Sequence, residues 1–316
     1  MTSAPPTPVP PSASLKKALK NKIRAIYRKS RRATVRTFFS YEPSALIRGL
    51  HELGIQSGDN VMFHSAFEEH HGFRGSIETL IDTLIESVGP DGNLLMVSLP
   101  YRSSALQYLE GLKKFDVRKT PSAMGLVSEY FRRRSNVLRS AHPSHPVLAC
   151  GPRAAWFVEG HETCATPCGP GTPFAKLREA GGKVGFFNVS FAYFTFFHHL
   201  ENVLQPHLPF QLYHDPPFDV PVVDRNGKEI RVRTLAFSRE TLRRRRFEVL
   251  EAWLWKHGII RRGRIGASSL LLVDLDDVMS AVDDMIRQGV FFYDMTAADA
   301  GQVTDPAPAR RGLNQS

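Results

Sequence analysis

Between residues 41 and 292 the sequence alternates short apolar runs with longer amphipathic runs, and this alternation constrains the fold most. The apolar runs predict five strands, at 60–67, 93–99, 145–151, 183–189 and 265–275. The amphipathic runs predict six helices, at 76–92, 123–134, 172–182, 195–204, 247–258 and 276–289. Strands that alternate with helices are typical of α/β proteins, in which helices cover the faces of a central sheet.

One segment in the C-terminal third breaks this alternation. Residues 219–236 contain two β-branched runs on either side of Asn226-Gly227, the pair that favours a type I′ hairpin turn. The predicted fold is therefore α/β, with a central mixed sheet flanked by helices and a C-terminal antiparallel hairpin or insertion.

Composition divides the chain into four segments. Residues 1–14 are rich in Pro, Ser and Thr and are expected to be disordered. Residues 15–40 follow as a basic amphipathic helix, with its apolar positions between 15 and 36. Residues 41–292 are expected to form the folded body of the chain, and residues 293–316 a flexible tail.

The net charge of +10 comes from the N-terminal segment. Residues 1–41 hold ten Lys or Arg and no acid, so the remainder carries 31 basic and 31 acidic residues. A neutral body argues against nucleic acid as a partner. The segment 15–36 is either a solvated helix or a peripheral contact with an anionic membrane.

The sequence also indicates a compartment. It contains no apolar run of about 18 residues and no apolar signal core at its start. Cys150, Cys164 and Cys168 are too few for a disulfide framework. We expect a cytoplasmic protein, whose basic segment would reach the inner membrane surface if it binds lipid.

The stretch FTFFHHLENVL places His198, His199 and Glu201 in an apolar helical segment. His198 and Glu201 are three residues apart and share a helix face, so the carboxylate can orient the imidazole and raise its pKa. This pair suits a general base, or it is a structural histidine with its partner. His199 points about 100° away and is expected to pack in the core.

Two further stretches carry possible site residues. His142 and His145 precede the strand at 145–151, where they form part of a site or a surface turn. The glycine turn CGPGTP, residues 168–173, leads into a helix whose N-terminus could bind an anion. Neither a Walker loop nor GxGxxG is present, so ATP and NAD have no support.

Eight motifs in order resemble those of the aminoglycoside 3-N-acetyltransferase family, across residues 44 to 289. They are GDNVMFHSAF, DGNLLMVSL, TPSAMGLVSEYFRRR, RSAHPSHPVLACGPRA, CGPGTPFAKL, GGKVGFFNV, TFFHHLE and RIGASSLLLVDL. The resemblance implies that family's α/β fold, and acetyl transfer from acetyl-CoA to the amine of a small molecule, with no metal. It leaves the oligomeric state open.

The resemblance also implies roles for particular residues. The catalytic set is His198, Glu201, His142 and His145. The set that contacts the coenzyme is His64, Ser65, Ala66, Thr120, Ser122, Gly125, Gly169 and Gly171. Backbone N–H groups near Ser65 are expected to stabilise the tetrahedral oxyanion.

The sequence departs from the family pattern at Ala66, Ala123, Pro146 and Phe194. Together with the neutral body, these departures favour an acceptor other than a polycationic antibiotic, such as an amino sugar used in surface polysaccharide synthesis. The presumed acceptor side carries one acidic pair, Glu68 and Glu69, and many aromatic residues. Those aromatic residues are Phe191, Tyr193, Phe194, Phe196 and Phe197.

Three alternatives remain at the level of sequence. One is a non-catalytic protein that binds acetyl-CoA or a glycan. Another is a ping-pong enzyme with Cys168 as the acyl carrier, because a thiol beside a helix N-terminus ionises readily. The third is a metal-dependent hydrolase built on the histidines and Glu201, although no zinc-binding spacing supports it.

Overall fold

The computed structural model describes residues 21–22, 30, 33–35, 37–68 and 71–296. The segment 1–14, most of the segment 15–36 and the tail from 297 onward lie outside the described residues. The helices are α1 (Pro43–Leu53), α2 (Ile77–Val88), α3 (Ala105–Gly111), α4 (Leu126–Arg132), α5 (Ala154–Val158), α6 (Pro173–Glu179), α7 (Phe197–Leu204), α8 (Arg239–Arg244), α9 (Phe247–Lys256) and α10 (Leu275–Arg287). The strands are β1 (Asn60–Ser65), β2 (Asn93–Val97), β3 (Phe115–Asp116), β4 (Leu138–Arg139), β5 (Val147–Cys150), β6 (Lys183–Phe187), β7 (Phe218–Val223), β8 (Glu229–Thr234), β9 (Arg261–Ile265) and β10 (Ser268–Asp274).

Seven strands form the central mixed sheet, in the order β4-β5-β2-β1-β6-β10-β9. The middle strands β2, β1 and β6 are parallel, and the outer pairs are antiparallel. β2 is buried along its whole length, as expected for a strand covered by helices on both faces. The expected α/β fold with a central mixed sheet is confirmed.

Helices cover both faces of this sheet. On one face, α1, α2 and α4 contribute Leu46, Leu84 and Phe131 to a core beneath β1 and β2. On the other face, α6, α7, α9 and α10 bury a larger core that includes Leu200 and Leu254. The second core surrounds α7, which carries His198 and Glu201.

Two helix starts follow the sequence signals closely. Ser76 and Thr79 form a reciprocal capping box at the start of α2. Thr172 caps α6 and Pro173 occupies its first turn, where a proline is favoured.

The expected antiparallel hairpin forms, as β7 and β8, with β3 as a third strand at its edge. Its turn is not type I′, however. Asp224 N–H donates to Lys228 O at 2.9 Å, and Gly227 alone has a positive φ of 85°, whereas Asn226 does not. The connection is a type I turn followed by a left-handed glycine, which places three residues in the loop instead of two.

The packed body extends beyond the boundary expected at residue 292. Tyr293 is 3% exposed, and it forms an isolated bridge with Arg245. The segment expected to be a flexible tail therefore begins with a core residue. Within the described residues, no helix combines the length and the apolar content required to cross a membrane.

Candidate active site

Helix α7 holds the central pair of the site. Its buried residues Phe197, Leu200 and Leu204 fix the helix against the larger core. His198 Nδ1–H donates to Glu201 Oε2 at 2.8 Å, as the three-residue spacing predicts. The His198 side chain is 21% exposed, whereas that of Glu201 is fully buried. Because Nδ1 carries the donated proton, Nε2 is the ring nitrogen that can accept one.

Glu201 has two further partners from distant parts of the chain. Arg245 donates through Nε to Oε1 at 2.5 Å and through Nη2 to Oε2 at 2.8 Å. The hydroxyl of Tyr293 donates to Oε1 at 2.5 Å. Burial alone would raise the pKa of Glu201, but the charge of Arg245 and the hydrogen bond from His198 outweigh it and lower this pKa. The carboxylate is therefore ionised inside the protein.

The pKa of His198 lies below its ordinary value, which is opposite to the expected rise. Burial disfavours the imidazolium most, and the charge of Arg245 disfavours it further, which together exceed the effect of Glu201. Since Arg245 neutralises the carboxylate, Glu201 orients the imidazole more than it charges it. His198 is neutral near pH 7, with a lone pair on Nε2.

His145 lies beside His198, with its ring centroid 5.5 Å from that of His198. Its Nδ1 contacts Ser144 Oγ at 2.9 Å, and its Nε2 lies 3.4 Å from the hydroxyl of Tyr101. Phe237 covers the other side of His198, with a centroid distance of 5.1 Å. The ring of His198 is thus bordered by the imidazole of His145 and the phenyl ring of Phe237, with the phenol of Tyr101 behind His145.

His142 lies one layer behind His145. Its Nδ1 accepts the backbone N–H of His145 at 3.1 Å, so its Nε2–H donates to Thr234 Oγ1 at 2.9 Å. It stacks on the ring of His161 at 4.4 Å. Both His142 and His145 are buried, and burial lowers the pKa of each well below its ordinary value. The interpretation of these residues as a surface turn is wrong.

A second feature is a cavity of about 300 Å³ at the carboxyl end of β1, which we call the β1 cavity. Its walls are mostly apolar, with a few polar groups between them, which is typical of sites for small organic ligands. Four of the residues assigned to coenzyme contact line it, namely His64, Ser65, Ala66 and Gly125. Ser122 reaches it indirectly, through a 2.8 Å contact with the lining residue Ser128.

The β1 cavity lies close to α7. Thr195, which lines the cavity, contacts His64 Nε2 at 3.4 Å and accepts the backbone N–H of His198. Ser65 Oγ has no hydrogen-bond partner among the described residues, whereas Ala66 N–H donates to Phe187 O at 3.0 Å. The hydroxyl of Ser65, and not the amide that follows it, is therefore the free donor at this position.

Three expected coenzyme residues do not line the β1 cavity. Thr120 Oγ1 accepts the backbone N–H of Asp116 at 2.9 Å. Gly169 is packed closely, since an added Cβ would lie 2.1 Å from Thr166 Oγ1. Gly171 adopts a positive φ of 77° in the same turn. None of the three is among the described residues that line the cavity.

The aromatic residues expected on the acceptor side belong to the core instead. Phe191, Phe194, Phe196 and Phe197 are at most 4% exposed. Only Tyr193 is open, at 64%, and it lines the β1 cavity. A run of phenylalanines before α7 fits the larger core and does not form a binding wall.

Two other sequence hypotheses, on Cys168 and His199, have opposite outcomes in the structure. Cys168 is fully buried, and burial raises the pKa of its thiol well above the ordinary value, which disfavours a thiolate nucleophile. His199 is buried and donates to Cys168 O at 2.8 Å, so its assignment to the core is confirmed. Among the described residues, no three His, Cys, Asp or Glu side chains come together as a metal site.

Sequence reasoning missed Arg245 and Tyr293. The run from Arg243 to Arg246 suggests a solvated helix face. The Arg245 side chain, however, is only 17% exposed and forms an ion pair with Glu201. Tyr293 was expected in the tail. The sequence positions of these two residues do not predict a contact with α7, because only the tertiary packing brings them to it.

Comparison with known proteins identifies the family. The sequence model of aminoglycoside 3-N-acetyltransferase matches residues 62–287. Aminoglycoside N(3)-acetyltransferase IX of Micromonospora chalcea is 26% identical over 254 residues, which cover 75% of this chain and 90% of that protein.

Two solved structures share the fold. AAC-VIa bound to sisomicin, studied at room temperature, has a TM-score of 0.65 at 25% identity, over 80% of this chain and all of that one. AAC-IIIb in a binary complex with CoASH has a TM-score of 0.64 at 24% identity, over 79% of this chain and 97% of that one. The chain belongs to the aminoglycoside 3-N-acetyltransferase family of acyltransferases.

Proposed function

We propose that this protein transfers the acetyl group of acetyl-CoA to the amine of an amino sugar, with His198 as the general base. Acetyl transfer to an amine is the chemistry of the family. The observation that carries the proposal is the hydrogen bond from His198 Nδ1–H to the ionised, buried Glu201, which leaves Nε2 as the acceptor of a proton.

An amine attacks a thioester only when its nitrogen carries a free electron pair. In the proposed reaction, His198 Nε2 takes a proton from the acceptor nitrogen as that nitrogen attacks the acetyl carbonyl carbon. The C–S bond then breaks, and the coenzyme leaves as a thiolate that takes up the proton held by His198, which returns the imidazole to its neutral form. A neutral imidazole is required at the start, which agrees with the lowered pKa of His198.

The β1 cavity suits the acetyl end of the donor. Its apolar walls match a thioester and its aliphatic arm, and the free hydroxyl of Ser65 can donate to a carbonyl or to the oxyanion that forms from it. Thr195 connects this cavity to α7 three residues before His198.

The surroundings of His198 support an acceptor of low positive charge. The aromatic rings that contact it, His145, Phe197 and Phe237, carry no negative charge. The carboxylate of Glu201 is already paired with Arg245. A polycationic antibiotic gains most from unpaired carboxylates, so a singly charged amino sugar, such as one used to build a surface polysaccharide, is the better match.

The test is release of free thiol from acetyl-CoA with simple amino sugars, nucleotide-linked amino sugars and aminoglycosides as acceptors. We expect turnover on an amino sugar, and turnover on aminoglycosides alone would contradict the proposed acceptor. His198→Ala should lower turnover by about 10²–10⁴-fold while acetyl-CoA still binds. His257→Ala, at an exposed histidine directly after α9, is the matched control and should keep full activity.

A further inference from the structure

A second cavity, of about 470 Å³, opens beyond the C-terminal end of α4. It is bounded by the loop after β3, by the segment after α4 and by the tip of the β7–β8 hairpin. Six of the ten residues that line it are arginines: Arg118, Arg132, Arg133, Arg134, Arg139 and Arg225. We call it the arginine cavity. No carboxylate is among these ten described lining residues.

The nearby carboxylates balance only part of this charge. Glu129 accepts from Arg132 at 2.7 Å and from Arg133 at 2.8 Å, so one carboxylate serves two guanidinium groups. Asp82 pairs with Arg134. Within the described part of the chain, the other three lining arginines form no ion pair. The arginine cavity therefore holds an excess of positive charge.

Arg139 is the most constrained of the three. It is 7% exposed, and it donates to Thr120 O at 2.5 Å and to Ser98 O at 2.8 Å. Its Nε is buried with no hydrogen-bond partner. Burial and the charge of Arg132 lower its pKa to about 9. A buried guanidinium without a counter-ion is costly, and an anion bound in the cavity that Arg139 lines would supply that counter-ion.

Helix α4 connects the arginine cavity to the proposed reaction site. Gly125 and Leu126, at its start, line the β1 cavity, and Arg132, at its end, lines the arginine cavity. Leu126 and Tyr130 are four residues apart and remain 61% and 41% exposed. An extended molecule along this face would contact both cavities.

We propose that the arginine cavity binds a phosphate group, either a monoester or a diphosphate, of one of the two substrates. Planar guanidinium forks match the oxygens of phosphate, and several of them converge here. The inference rests on the proposed acetyl transfer, because the two possible sources of the phosphate are the nucleotide end of acetyl-CoA and a phosphorylated amino sugar.

The first test measures binding and does not depend on turnover. Arg118 and Arg225 are exposed at the rim of the cavity, so the double variant Arg118→Ala/Arg225→Ala should fold normally. Calorimetry of the full chain with inorganic pyrophosphate and with adenosine 3′,5′-bisphosphate should show a Kd at least about tenfold higher for this variant. The matched control is Arg231→Ala/Arg233→Ala, which removes two exposed arginines from β8 and should bind as the original chain does.

The second test identifies the source of the phosphate. If the coenzyme supplies it, the rim variant should raise the KM for acetyl-CoA about tenfold and leave the KM for S-acetylpantetheine unchanged. If the acceptor supplies it, only the KM for the phosphorylated amino sugar should rise. Equal binding of both phosphate probes by the original chain and the rim variant would overturn the inference. Binding of the probes without turnover on any amine would instead contradict the proposed function and leave the phosphate site standing.

Discussion

At the scale of single residues, Glu201 brings together groups that the sequence keeps far apart. His198 is three positions away and could be predicted as its partner from helical spacing alone. Arg245 is 44 positions away and Tyr293 is 92 positions away. Their contact with Glu201 could not be predicted, because it depends on how α7 and the segments before α9 and after α10 pack.

A variant that lacks Arg245 should have a lower free energy of unfolding and a lower turnover. Arg245→Met leaves a buried carboxylate without its counter-charge, which costs about 3–5 kcal/mol in the free energy of unfolding. The double variant Glu201→Gln/Arg245→Met removes both charges and should regain most of this stability. Urea denaturation measures the stability of each variant.

The same pair of variants separates stability from catalysis. Turnover should stay low in Glu201→Gln/Arg245→Met, because His198 has lost the carboxylate that orients its Nδ1–H. Recovery of turnover together with stability would show that Glu201 has a structural role only. Thiol release from acetyl-CoA, measured on both variants at equal folded concentration, decides between these outcomes.

At the scale of helices and strands, prediction succeeds where burial leaves a clear pattern. The strands β1, β2 and β6 are nearly all buried and appear as apolar runs. The edge strand β9 has the sequence RRGRI and no fully buried residue, so neither an apolar run nor an alternation reveals it. Edge strands with charged side chains are common, because charge discourages pairing with other chains.

The β7–β8 hairpin gives a prediction at this scale. Only Gly227 has a positive φ in the loop, and no atom would contact a Cβ added there, so any cost of Gly227→Ala comes from the backbone. We expect Gly227→Ala to lower the free energy of unfolding by roughly 1–2 kcal/mol. Asn226→Ala should change it by less than about 0.5 kcal/mol. Similar losses for both variants would instead indicate the type I′ turn that the sequence suggests.

At the scale of the whole molecule, buried histidines couple stability to pH. His142, His145, His161 and His64 are fully or almost fully buried. Burial lowers the pKa of His64 and of His161 to about 3, from an ordinary value of 6.5. The unfolded chain therefore binds protons more readily than the folded chain below about pH 6.5.

The free energy of unfolding should therefore be highest above about pH 6.5 and should fall as the pH decreases toward 3. Each buried histidine contributes a slope of about 1.4 kcal/mol per pH unit in this range. Urea denaturation at pH 7.5, 6.5 and 5.5 measures the slope. His161→Gln should reduce this slope by the contribution of one histidine, even if the variant is less stable at every pH. His257→Gln, at an exposed position, should leave the slope unchanged.

The hydrogen bond from Tyr293 to Glu201 also sets the order in which the site is completed during synthesis. Helix α7 leaves the ribosome first, and the tyrosine follows 92 residues later. Until then, the carboxylate lacks one of its three partners, although the central sheet already has all of its strands. A nascent chain of this protein can thus form its central sheet before it completes the proposed catalytic centre. A premature stop codon just before residue 293 would keep every strand of the sheet but remove this tyrosine from that centre.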